Sequence, residues 1–155
     1  MGDANTAGMV KVSVRWAKDT ESMWATPMGG NRYRLENLPF FAYGMSFHDI
    51  VEAEPAQDGM LDFVRVVEKS GYRTIRVVTA DLSPVPKELI VALNAMDVWY
   101  ERADKSYIAL NIQPEIDLDA VVAELMKCDS EAIQWEHVDP TYDELYPEEA
   151  DSSGA

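Results

Sequence analysis

Cys128 is the lone cysteine among 155 residues. No internal disulfide can form, so the chain suits a reducing compartment or a fold that needs no staples. No run approaches the ~18 apolar residues of a membrane-spanning helix. Histidine is scarce: His48 and His137 lie far apart, and neither stands in a zinc-binding spacing. There is no Gly-rich phosphate loop, no Gly-x-Ser-x-Gly elbow and no Cys-x-x-Cys pair. Residues 1–8 hold no basic stretch followed by an apolar one, which argues against a secretory signal and points to a cytoplasmic protein. No cofactor and no metal are implied by what is present.

Basic residues are also scarce, and unevenly so. Through Ala80, ten Asp and Glu nearly balance nine Lys and Arg; from Asp81 onward eighteen acids face four bases. Almost all of the formal net charge of −15 therefore lies in the second half. Such a field repels nucleic acid and anionic lipid and attracts cations or basic protein surfaces. Hydrophobic residues make up 47% of the chain, which is ordinary for a globular protein. A chain of this length buries roughly two-thirds of its unfolded surface, enough for a core without staples.

The periodicity changes midway. Val10, Val12 and Val14 alternate with Lys11, Ser13 and Arg15, the period of a half-buried strand. Further strands are expected over residues 23–28, 32–36 and 49–54, with Gly29-Gly30 supplying a hairpin turn. Residues 60–68 and 72–79 read as a last hairpin joined at Ser70-Gly71. Strands with no helix between them suggest a small antiparallel barrel or curled sheet. Next, Ser83 and Pro84 look like a helix start, with Val85, Leu89, Leu93 and Met96 at helical spacing. Strands follow over residues 98–103 and 106–112. Asp117 caps a second helix with Leu118, Val121, Val122 and Leu125 on its apolar face. A final strand covers residues 133–138.

The expected fold class is thus α+β. A small antiparallel β-barrel-like N-terminal half precedes a ferredoxin-like βαββαβ half, and residues 73–79 could serve both. The expected division is a disordered leader at 1–8, the barrel at 9–71, the α+β domain at 72–139 and an acidic tail at 140–155.

One block carries a resemblance. It runs from Trp24 through Tyr33-Arg34-Leu35-Glu36-Asn37-Leu38-Pro39-Phe40-Phe41-Ala42-Tyr43-Gly44 and Asp49-Ile50-Val51 to Gly71-Tyr72-Arg73. It resembles the bacterial family known as domain of unknown function 4265, with a Tyr-Arg-Leu-x-Asn-x-Pro-Phe run leading to Gly and then Asp-x-Val. The resemblance covers most of residues 24–78. It implies a bacterial origin and no chemistry.

Two groups of site residues stand out. Phe40, Phe41 and Tyr43 fill or lid the barrel, with Asn37 starting the turn; alternatively they form an aromatic ligand pocket rimmed by Arg32, Arg34 and His48. Trp135, Glu136, Asp139, Tyr142, Asp143, Glu144 and Tyr146 mix rings with acids, the pattern of a partner surface that anchors with aromatics and steers with charge. The same residues would otherwise be a solubility tail. His48 and Asp49 with Glu52 and Glu54 read as solvated strand residues rather than a metal site. Arg65, Arg73 and Arg76 read as strand-surface arginines rather than a nucleic-acid track.

The functional expectation is a non-enzymatic acidic binding protein that neutralises a basic protein partner, most concretely a bacterial immunity protein for a toxin. The first alternative is a small-molecule sensor with its pocket between the second-half sheet and the aromatic segment. The second is an enzyme using acids such as Asp49 and Glu101 for proton transfer.

Overall fold

The structure is a computed structural model that describes residues 8–17, 19–128 and 132–148. The expected leader, apart from Gly8, and the end of the acidic tail, Glu149 included, lie outside the described residues. The chain divides into two compact units, Met1–Tyr72 and Arg73–Ala155.

The first unit is a closed barrel of five strands: β1 (Val10–Trp16), β2 (Asp19–Gly29), β3 (Arg32–Leu35), β4 (Ile50–Pro55) and β5 (Leu61–Glu68). Successive strands pair antiparallel. Closure is by a parallel pair, β1 with β5 through Val12↔Leu61 and Ser13↔Asp62. The physical reason is parity: in an up-and-down meander of five strands, the first and last run the same way. Register shifts between Pro27 and Gly29 on β2, and at two places along β4, supply the bends a small barrel needs. Gly29 and Gly30 turn the β2–β3 hairpin with φ of 105° and 60°, angles that glycine adopts at little cost.

The interior is lined by Val12, Val14, Met23, Ala25, Leu35, Val51 and Ala53. Val12 and Val14 point inward as the alternation requires. From the loop after β3, Ala42 and Met45 join this core. Of the expectation that Phe40, Phe41 and Tyr43 fill or lid the barrel, filling is the part that fails. Phe41 and Tyr43 are 44% and 52% exposed, and Phe40 is only half-buried. Small Ala42 fits where rings do not, and Phe41 instead stacks on Trp16 with centroids 4.8 Å apart.

The second unit is a four-stranded antiparallel sheet in the order β7-β8-β6-β9. Its strands are β6 (Arg73–Thr79), β7 (Trp99–Asp104), β8 (Tyr107–Ile112) and β9 (Ile133–Asp139). Helix α1 (Lys87–Ala95) lies between β6 and β7 in the chain, and α2 (Leu118–Cys128) between β8 and β9. Their apolar faces bury Leu89, Leu93, Val121 and Leu125 against Ile75, Val77, Ile108, Leu110 and Ile112. Cys128, half-buried, is the last residue of α2. A four-residue helix, α3 (Tyr142–Leu145), follows β9. Among the described residues no helix is long and apolar enough to cross a membrane.

Two local expectations fail. Residues 60–68 and 72–79 do not form a hairpin. Each already has two strand neighbours, β5 with β4 and β1, β6 with β8 and β9. Ser70 is held instead by its own bonds: its N–H donates to Asp49 at 2.8 Å and its hydroxyl to the Phe47 carbonyl at 2.6 Å. The first helix does not start at Ser83 and Pro84. Val85 enters the core and its N–H donates to the Lys105 carbonyl at 2.9 Å. Pro86 keeps Val85 from helical geometry, so α1 begins only at Lys87.

Candidate functional site

Glu36 gathers the polar groups of the barrel unit. Its Oε2 accepts from Thr26 Oγ1 at 2.7 Å and from Arg34 Nε at 2.9 Å. Its Oε1 lies 3.0 Å from His48 Nε2. Thr26 and Arg34 face each other across β2 and β3, so strand register puts both donors beside residue 36. His48 comes from the loop that returns to β4, where its N–H donates to the Leu35 carbonyl at 2.8 Å. It adopts φ of 67°, uncommon for a residue with a side chain. Its ring stacks on Phe47 at 3.9 Å and meets Tyr72 edge-on at 6.0 Å. Burial alone would raise the Glu36 carboxyl. The bonds from Thr26 and Arg34, with the nearby positive groups, outweigh it and hold the carboxyl below its ordinary value. The arrangement orients the His48 imidazole through Nε2.

The expected pocket residues are therefore divided. Arg34 and His48 meet on Glu36, a residue the sequence reading passed over. Arg32 stands opposite Glu52 in the β3–β4 register, and Glu52 pairs with Arg65 at 2.9 Å. The aromatic run has a different anchor. The Glu21 carboxylate accepts from the backbone N–H groups of Phe40, Phe41 and Ala42 at 2.7, 3.2 and 3.0 Å. Asn37 also reaches across, its Oδ1 accepting from the Trp24 N–H at 2.6 Å. The aromatic run is thus tied down by its backbone, with two of its rings left at the surface. Among the described residues no three His, Cys, Asp or Glu side chains gather to hold a metal ion.

Asp49 is fully buried. It accepts from Lys69 Nζ at 2.7 Å, from the Ser46 N–H at 2.9 Å and from the Ser70 N–H at 2.8 Å. That makes it a structural tie. Glu101, on β7 in the other unit, is exposed, yet desolvation of its carboxyl pushes it above its ordinary value. Arg76 is buried at 3% exposure and pairs with Glu136 across β6 and β9 at 3.2 Å. Arg73 donates to the carbonyls of Gln113 and Ile116. Arg73 and Arg76, read from the sequence as strand-surface residues, are thus committed inside the second unit.

The second group of site residues sits on β9 and α3. Trp135 and His137 are two apart on one strand and share a face. Their rings meet edge-on at 5.3 Å. After β9, Thr141 and Glu144 form a reciprocal capping box that starts α3. The Tyr146 N–H donates to the Tyr142 carbonyl at 2.9 Å, so the two tyrosines stand one turn apart with centroids at 4.8 Å. His137 lies 6.5 and 6.1 Å from them. Tyr142 and Tyr146 are 49% and 38% exposed. Beside them is a shallow depression of about 310 Å³ lined by Leu145, Tyr146, Pro147 and Glu148.

The acids expected in this group have separate fates. Glu136 is paired with Arg76. Asp139 is 4% exposed, so it offers no carboxylate to the surface. Its place at the end of β9, in register with buried Thr74, accounts for that. Glu144 accepts from the Thr141 N–H and hydroxyl. Asp143 and Glu148 are exposed. Trp135 is half-buried and packs on the core. The surface part of the group thus comprises Tyr142, Asp143, Glu144 and Tyr146 with Glu148, and Glu136 at 46% side-chain exposure beside its bond to Arg76.

Burial lowers the His137 imidazole below its ordinary value near 6.5. The sign of the consequence follows from linkage. Between the folded and unfolded values the unfolded chain binds more protons, so stability rises with pH there. The contribution is complete above about pH 6.5 and is lost as pH falls through the lower, folded value. Urea unfolding from pH 8 down to pH 5 is expected to show this decline, and His137→Gln is expected to flatten it. An unchanged slope in that variant would remove His137 as the cause.

These features define a mixed α+β protein, mostly strand, with a closed five-stranded barrel followed by a helix-bearing antiparallel sheet. The chain belongs to the family described as domain of unknown function (DUF4265), whose model matches residues 21–136. Helix α3 lies beyond the matched span. A solved structure described as a novel crystal structure of a hypothetical protein from Neisseria gonorrhoeae is similar, with a TM-score of 0.75 and 21% identity. The match covers 84% of this chain and 94% of that one, and it speaks to the fold alone. Comparison with curated proteins gave no match.

Proposed function

We propose that the protein is a non-enzymatic acidic binding protein, acting in the cytoplasm, that neutralises a basic protein partner. An immunity protein for a bacterial toxin is the most concrete form. The observation that carries the reading is the surface of α3. Two exposed tyrosines stand side by side on a segment that also exposes Asp143 and Glu148, in a stretch from Cys128 to the last residue that has no Lys or Arg. Rings supply contact area at a partner surface, and a local excess of carboxylates speeds the encounter with a basic one. The sheet order β7-β8-β6-β9, with a helix in each of the β6–β7 and β8–β9 connections, supports a ferredoxin-like βαββαβ arrangement for the unit that presents α3.

The test is capture from the source organism at low and moderate salt, followed by reconstitution with the purified partner. A basic protein is expected, with an association rate that falls as salt rises. The double variant Asp143→Lys with Glu148→Lys should slow association by roughly tenfold. Retention of no basic protein at either salt, or a purified partner indifferent to both charge reversals, would end this reading.

A further inference from the structure

We infer that Tyr142 and Tyr146 form a docking surface for the guanidinium group of an arginine side chain. The inference rests on the basic-partner reading and names the chemistry by which α3 would recognise it. The ring pair is pre-positioned: its centroids are 4.8 Å apart with the planes tilted by 47°. The capping box at Thr141 and Glu144 and the Tyr146–Tyr142 backbone bond hold that spacing. Ordering the rings therefore costs little on binding. Both remain open to solvent, at 49% and 38% exposure.

Ring faces attract cations through their quadrupole, and the planar guanidinium can lie flat against them. An ammonium group is compact and more strongly hydrated, so it gains less from the same faces. The local charge favours the same occupant. Asp143 and Glu148 are exposed on the same short segment, and the depression beside Tyr146 has Glu148 in its wall. The group behind the rings is His137, in ring contact with both tyrosines. Burial lowers that imidazole and so favours its neutral form, which does not oppose an arriving cation. A long side chain with an apolar stem and a charged, flat end matches a site of rings beside carboxylates.

The experiment titrates the full chain with an arginine-only and a lysine-only peptide of equal length, at about 50 mM salt, followed by tyrosine ring resonances. The arginine peptide should bind roughly fivefold tighter. Tyr142→Leu with Tyr146→Leu should weaken it about tenfold and abolish the preference over lysine. Tyr142→Phe with Tyr146→Phe keeps the ring faces and should retain both affinity and preference. The side chains are exposed, so the folded state should survive either change, and circular dichroism verifies it. Equal binding of the two peptides, untouched by the leucine pair, would overturn the guanidinium surface while leaving a basic partner free to dock by charge alone. Loss of binding in the phenylalanine pair would also overturn it, because hydroxyl groups rather than ring faces would then be responsible. Failure of both peptides to bind would remove the surface outright; the basic-partner reading is judged separately, by the purified-partner measurement.

Discussion

Asp49→Ala is expected to destabilise the barrel unit by about 3–4 kcal/mol. The side chain is fully buried and its two oxygens accept from three donors: Lys69 Nζ, the Ser46 N–H and the Ser70 N–H. Removing it leaves two backbone donors in an interior where each lost acceptor costs about 1–3 kcal/mol. Lys69 matters less, because its side chain is 48% exposed and water can replace the carboxylate. Lys69→Met leaves the buried carboxylate with its two backbone donors but no counter-charge, and should cost about 1–3 kcal/mol, less than Asp49→Ala. Asp49→Asn should fall between the two, since its carbonyl oxygen can still accept. Urea unfolding followed through Trp16 and Trp24, in a Trp99→Phe and Trp135→Phe background, reads the barrel unit by itself. If Lys69→Met costs as much as Asp49→Ala, the ion pair rather than the backbone donors would be the stabilising element.

Leu110→Ala is expected to cost the second unit about 3 kcal/mol, within the range for emptying a close-packed core position. Leu110 is fully buried on β8, paired in register with Ile75 on one side and Tyr100 on the other. It belongs to the same core as Leu89 and Leu93 from α1 and Val121 and Leu125 from α2. The sheet and two helices meet there, so a void has few ways to close. At temperatures where the variant stays folded, its affinity for the arginine peptide should match that of the parent chain. A variant that binds less while its near-native circular dichroism is intact would tie the α3 surface to the core more closely than its exposure suggests. Thermal and urea denaturation of the Trp16→Phe and Trp24→Phe form measure the stability loss.

Much of the architecture was legible because backbone geometry imposes short periods on the chain. Val12 and Val14 declare the inner face of β1 two residues apart. Val121 and Leu125 declare the buried face of α2 four apart. The barrel and the change to a helix-bearing sheet followed from such patterns. Legibility stopped where residues far apart in sequence become neighbours. Glu36 meets His48 across 12 positions, Asp49 meets Lys69 across 20, and Arg76 meets Glu136 across 60. No window of local periodicity contains both members of such a pair. The misjudged hairpin at Ser70-Gly71 has the same origin, since turn residues announce a bend and not which strand lies beyond it.

The α3 surface divides in the same way. That carboxylates outnumber bases after Asp81, and that Tyr142 and Tyr146 stand among acids, is written in the residue order. Charge and composition need no fold to exist. Which of those acids stay at the surface was decided only by tertiary structure. Strand register paired Glu136 with Arg76, sheet burial took Asp139, and the capping box engaged Glu144, while Glu136, Asp143, Glu144 and Glu148 all kept exposure to solvent. A side chain's charge is a local property; its availability depends on the neighbours that folding assigns to it.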